Sequence, residues 1–193
     1  SDDHAQDAEA ETRAGAGVSR LPIRLWGDPV LRGIARPVGE ITDEIRTLAA
    51  DLAETMYDAP GRGLAAPQVG VPLRMFVMDC HWKDDGERDP VVVIDPEILD
   101  ASDETATHEE GCLSIPDVPV SVTRPAEITL RWRGLDGVPT EQRLSGMEAI
   151  CAQHEFDHLD GKLIPDVLDP DARAEADAVL AALADRAAQG QTE

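Results

Sequence analysis

Between Ala126 and Leu159 the sequence changes its period from two to 3.6, and few folds accommodate that switch. Ala126-Glu127-Ile128-Thr129-Leu130-Arg131-Trp132-Arg133 alternates strictly, so one face of the segment is wet and the other buried, as in an antiparallel strand. Asp136-Gly137 is a tight-turn signal, and Val138 to Leu144 returns as the hairpin partner. Ser145-Gly146-Met147-Glu148 then reads as a capping box, opening a helix that runs to about Leu159 and stops near Gly161. This helix carries His154-Glu155-Phe156-Asp157-His158. Two histidines at i and i+4 lie on one helix face, about 6 Å apart along the axis, so both rings can converge on one cation. Met147, Ile150 and Cys151 fall on the same side, which turns the pair inward. Glu155, adjacent to the first histidine, can reach a water on the cation without being a ligand itself, the division of labour of a hydrolytic metal site.

A third ligand decides between rival readings of this motif. No histidine follows His158, whereas upstream stands Glu109-Glu110-Gly111-Cys112-Leu113-Ser114, with Cys112 in a Gly-containing turn among strands. A thiolate is a strong ligand for a borderline-soft divalent metal. Cys80 and Cys151 read as ordinary buried small hydrophobes, and three cysteines form no disulfide framework. On the residues alone, a zincin-type peptidase in which Cys112 plays no part stays open beside a centre that uses it.

The remaining elements follow from periodicity. Ile45, Leu48, Leu52 and Met56 make one apolar stripe of a helix between Ile41 and Pro60, with Thr42 as N-cap and Asp43 and Glu44 at the positive end of its dipole. A Gly-rich loop, Gly61 to Gly70, comes next, and then short apolar strands at Leu73 to Met78 and Val91 to Ile94. A last helix, about Asp171 to Ala188, gathers Ala172, Ala176, Val179, Leu180, Leu183 and Ala187 on one face. The pattern lacks βαβ repetition. The fold class expected is α+β, with antiparallel β-sheets packed around a central helix bearing the HExxH motif, an N-terminal helix and a C-terminal helix. Residues 1–19 are expected to be a disordered acidic tail, since 1–17 contain five acids, one arginine and no large apolar side chain. Residues 20–190 are expected to form a single catalytic domain.

Charge excludes several partners. The 193 residues hold 39 Asp plus Glu against 17 Lys plus Arg, a formal net of −22. A field of that sign repels phosphate backbones and anionic lipid, so neither DNA nor a membrane surface is an expected partner. No stretch approaches the ~20 apolar residues of a membrane span, and no secretory h-region opens the sequence. A reducing, cytoplasmic setting is the expectation.

Three ordered segments resemble the peptide deformylase family: Gly61-Arg62-Gly63-Leu64-Ala65-Ala66-Pro67-Gln68, Glu110-Gly111-Cys112-Leu113-Ser114, and Gln153-His154-Glu155-Phe156-Asp157-His158. The resemblance extends from about Leu21 to Val167. It implies a metal held by Cys112, His154 and His158, with Glu155 as general base and then acid. It also implies that Gln68 and the backbone N–H of Leu113 hold the formyl oxygen. Arg62, Gly63 and Gly111 would border the substrate, and Met147, Ile150 and Cys151 would floor a pocket for a methionine side chain. The implied reaction removes formate from the N-formyl-methionine of nascent peptides, using one divalent metal per chain. Fe2+ is the native ion expected, with Zn2+, Ni2+ or Co2+ possible in purified protein.

Three positions depart from the family pattern. Pro119 stands where an arginine is common, although Arg124 is in place. Arg62 occupies an often apolar position, which makes the entrance more polar, and Leu163-Ile164 replaces Leu-Phe. Some bacterial deformylases dock on the ribosome through a basic C-terminal extension. Here Asp169, Asp171, Glu175, Asp177 and Asp185 outnumber Arg173 and Arg186, so docking through this helix is not expected.

Overall fold

A computed structural model describes residues 17–190, so nearly all of the expected tail lies outside the described residues. Helix α1 (Asp43–Asp58) leads into strands β1 (Gly63–Ala65) and β2 (Met75–Met78), the single turn α2 (Trp82–Asp85) and strand β3 (Val91–Ala101). Strands β4 (Thr105–Cys112), β5 (Ile115–Pro125), β6 (Glu127–Arg133) and β7 (Pro139–Ser145) come next, then helices α3 (Gly146–Leu159) and α4 (Pro170–Ala188). One antiparallel sheet has the order β1-β2-β3-β6-β7, and β4 pairs with β5 in a separate ribbon. Mixed helix and antiparallel sheet is therefore the architecture.

The large sheet is covered on both faces at β2, which explains why Met75-Phe76-Val77-Met78 is apolar without alternation. Phe76 and Met78 join Val93, Ile128, Leu130, Trp132 and Leu144 in a core shared with Ala149, Cys151, Ala152 and Leu159 of α3. Met75 and Val77 face the opposite way, with Ile94, into Ile45, Ala49, Leu52 and Met56 of α1. A third core joins Ala176, Leu180 and Leu183 of α4 to Leu25, Ile115, Val122, Ile164 and Cys112. Val179, expected on that face, is instead exposed.

Helix ends hold one correction. Thr42 caps α1 as expected, its side chain accepting from the Ile45 N–H. Ser145 makes no side-chain cap on α3. Its backbone is still committed to β7, paired with Glu127, and the chain turns into the helix at Gly146 with φ 56°. Glu148, expected to reach back to Ser145, contacts His81 Nε2 at 2.8 Å instead. Strand bounds also shift: β2 begins two residues later than expected, and β3 continues through Ala101 rather than ending at Ile94. None of the helices among the described residues is long and apolar enough to cross a membrane.

Candidate functional site

Helix α3 places His154 and Glu155 on the lining of a cavity of about 380 Å³, with His158 buried one turn further along the same helix, and the end of β4 supplies Cys112 from the facing ribbon. Cys112 Sγ lies 3.5 Å from His158 Nε2, and His158 Nε2 lies 3.2 Å from His154 Nε2. Ligand atoms of all three residues lie within 4.8 Å of one another, and all three residues are buried. Tetrahedral coordination with usual Zn–N and Zn–S lengths has N···N edges of about 3.3 Å and S···N edges of about 3.6 Å. The donor set therefore fits one divalent cation in both spacing and chemistry.

Surrounding groups fix the ligands' orientation. Glu110 Oε1 meets His154 Nδ1 at 3.1 Å, leaving Nε2 to face the cluster, the usual arrangement behind a metal-binding imidazole. Arg124 holds that carboxylate in a bidentate pair, at 2.7 and 3.0 Å, and donates to Asp157 at 2.8 Å. Burial works against the Glu110 anion, but the bonds from His154 and Arg124 outweigh it and hold its pKa below the usual carboxylate range. Burial likewise opposes the His154 imidazolium, yet the Cys112 and Glu110 contacts prevail and hold its pKa well above the usual histidine range. His158 is pushed well below that range by burial and by the charges of His154 and Arg124. A divalent cation binding here would displace the His154 proton.

Glu155 stands apart from the ligands. Its Oε1 is 3.8 Å from His154 Nε2, and its Oε2 is buried with no hydrogen-bond partner. Burial pushes its pKa up to about 7, an effect that Glu110 reinforces and His154 opposes. Gly63 makes room for it: a Cβ there would lie 2.8 Å from Glu155 Oε1 and 2.9 Å from Cys151 Sγ. A carboxyl poised near neutrality, with a free oxygen at the cavity, is equipped to take and return a proton.

Gln68 sits in the short 3-10 turn Ala66–Val69. Its Oε1 accepts from the Ala65 N–H at 3.0 Å, and its Nε2 donates to Ser114 Oγ at 3.1 Å and points at Cys112 Sγ at 3.7 Å. Leu113, in the turn after Cys112, lines the cavity with Arg62, Gly63, Gly111, Ile150 and Cys151. Met147 also lines it but is 40% exposed, at the rim rather than in the interior expected from the helix face. Pro119 is on the cavity wall. Sequence reasoning assigned no role to Glu110 and Ser114, although both lie in the Cys112 motif, because their partners come from other elements. Lys83, also at the cavity, carried no motif signal at all.

The comparisons with known proteins agree with one another. The family model for polypeptide deformylase matches residues 20–174. The peptide deformylase of Rhizorhabdus wittichii is 51% identical over 145 residues, covering 73% of this chain and 82% of that one. That of Acinetobacter baumannii is 48% identical over 150 residues, covering 78% and 84%. Among solved structures, the Thermotoga maritima peptide deformylase superposes with a TM-score of 0.73 at 44% identity, covering 78% of this chain and 99% of that one. The Legionella pneumophila enzyme gives 0.79 at 36%, covering 91% and 100%. With half of its aligned residues shared and a cysteine and two histidines gathered in one buried cluster, the chain belongs to the polypeptide deformylase family and is an enzyme of it.

Proposed function

We propose that this chain is a metal-dependent hydrolase that removes the formyl group from the N-terminal formyl-methionine of newly made proteins, releasing formate and a free amine. The observation that carries this reading is the buried Cys112, His154 and His158 cluster beside a buried Glu155 with an unpartnered oxygen, with Cys112, His154 and Glu155 lining one cavity. Cys112, His154 and His158 would hold one divalent metal, with Fe2+ proposed as the native ion because the soft thiolate and two imidazoles suit it, as they do Zn2+, Co2+ and Ni2+. Such a cation acts as a Lewis acid, lowering the pKa of water towards ~7.

The chain's own groups account for the rest. Glu155 takes the proton of the attacking water at its free oxygen and delivers it to the departing amine nitrogen. As the formyl carbon becomes tetrahedral, its oxygen gains charge, and the Gln68 amide and Leu113 N–H are the donors proposed for it. Removing one such donor typically costs ~3–4 kcal/mol in the transition state. Gly63 and Gly111 let backbone approach the substrate, while Arg62, Met147, Ile150 and Cys151 border the methionine and the next residues of the peptide. A formyl carbon bears only hydrogen, so a narrow site admits it and excludes acetyl. Residues 20–190 act as one catalytic unit built around α3, working in the cytoplasm. Formate release from formyl-Met-Ala, with no acetate from acetyl-Met-Ala, is expected of the metal-loaded protein. Equal cleavage of both, or cleavage of internal peptide bonds alone, would overturn the assignment.

A further inference from the structure

Three successive carbonyls at the edge of the cavity are held by donors from one neighbouring segment. Lys83 Nζ donates to Pro60 O at 3.0 Å, Trp82 Nε1 to Gly61 O at 2.9 Å and the Asp79 N–H to Arg62 O at 2.8 Å. That segment is itself fixed. Trp82 stands edge-on to Tyr57 with ring centroids 5.1 Å apart, Arg88 covers both rings, and Tyr57 donates to Asp79 at 2.6 Å. The effect is to set Arg62 and Lys83 on the lining of one cavity, the same one that holds Cys112, His154 and Glu155.

Neither cation is neutralised. Among the described residues, no carboxylate lies within ion-pair reach of either, and Arg62 Nε is buried with no hydrogen-bond partner. In a chain with 39 acids and 17 bases, the buried Arg124 and the half-buried Arg74, Arg133 and Arg173 all have carboxylate partners. Partial desolvation and the charge of Arg62 both lower the pKa of the largely exposed Lys83, so the two heads feel each other. Glu109 and Asp117 also line the cavity, and both are exposed.

We propose that Arg62 and Lys83 form a carboxylate-recognising rim, which makes this enzyme favour formyl peptides with a carboxylate beyond the methionine. The inference rests on the deformylase reading above. The carboxylate is either an Asp or Glu side chain or the C-terminus of a short peptide. In each case it supplies the acceptor that Arg62 lacks, in a charge-assisted bond. Because Lys83 is exposed, solvent limits the gain to that of a surface ion pair, about three- to fivefold in kcat/KM at low salt.

The test uses the full-length, metal-loaded enzyme and paired peptides. Formyl-Met-Glu-Ala-amide and formyl-Met-Ala-Glu-amide are each compared with their Gln counterparts, and formyl-Met-Ala is compared as free acid and amide. At least one charged member is expected to exceed its neutral partner by about three- to fivefold, mainly through KM. The advantage should collapse in about 0.5 M salt, where surface charges are screened. It should also vanish in the R62Q/K83Q variant and persist in R62K/K83R. The salt dependence of the unmodified enzyme stands as a readout even if a variant folds poorly. Ratios of one or below in all three pairs, or a ratio that survives in R62Q/K83Q, would overturn the rim while formate release from the Gln peptides keeps the deformylase reading. No formate from any formylated peptide would overturn that reading and the rim with it.

Discussion

The Glu155 carboxylate is buried against Cys151 and Gly63 with one oxygen unpaired, a state that costs stability and is tolerated where a proton must be handled. Glu155→Ala should keep one equivalent of metal, because Cys112, His154 and His158 are untouched, yet lower kcat by about 10²–10⁴-fold. Cys112→Ala should do the reverse at the first step and fail to retain metal. Metal analysis beside formate release separates the two, and normal turnover in Glu155→Ala would remove it as the base. The i,i+4 histidines are readable from the sequence because a helix alone brings them together. Glu110 and Ser114 are not, because their roles depend on a ribbon folding over α3 so that Glu110 meets His154 and Ser114 meets Gln68. Side-chain contacts between elements that far apart in sequence leave no local periodic signal.

At the scale of elements, the helices and the β6–β7 hairpin were the legible part. The stripe of α1 and the apolar face of α4 place Ile45, Leu52, Met56, Ala176, Leu180 and Leu183 in cores, since a 3.6 period has one physical reading. The β4–β5 ribbon was not legible as a paired unit: Thr105 to Glu109 is mostly exposed and lacks clean alternation. The start of α3 misled for a different reason. Ser145 has the residue type of a cap but is paired within β7, so its hydroxyl caps nothing. Ser145→Ala should accordingly change stability by no more than about 0.5 kcal/mol. Asp169, whose side chain accepts from the Ala172 N–H at 2.8 Å, is a working cap on α4, and Asp169→Ala should cost about 1 kcal/mol. Urea unfolding of both variants checks the contrast. Equal losses would contradict it.

A pH dependence belongs to the same scale. Arg32, in the turn Pro29–Arg32, pairs with Asp166 in the turn Ile164–Val167, whose carboxylate also accepts from the Leu163 N–H at 2.9 Å. Burial opposes the Asp166 anion, but Arg32 and that N–H prevail and lower its pKa. A carboxylate with a depressed folded-state pKa contributes stability above its unfolded value, ~3.9, and loses it as pH falls through the folded value. Arg32→Ala should therefore destabilise the protein at pH 7 and lose that effect progressively below about pH 4. Thermal unfolding at both ends checks this, and an unchanging difference across the range would contradict it.

For the whole molecule, a net charge of −22 and an α4 dominated by Asp171, Glu175, Asp177 and Asp185 make contact with ribosomal RNA repulsive. Ribosome co-sedimentation should show no retention that depends on residues 170–193, and strong salt-sensitive retention through them would contradict the charge argument. α4 has another task, packing Leu180 and Leu183 into the core that contains Cys112. Metal titration tests the account as a whole most directly. Stripped of metal under anaerobic conditions, the full-length protein should release no formate from formyl-Met-Ala. Adding Fe2+ should restore activity linearly to a break at one equivalent per chain. Turnover without bound metal, or a break at two equivalents, would contradict a single centre held by Cys112, His154 and His158.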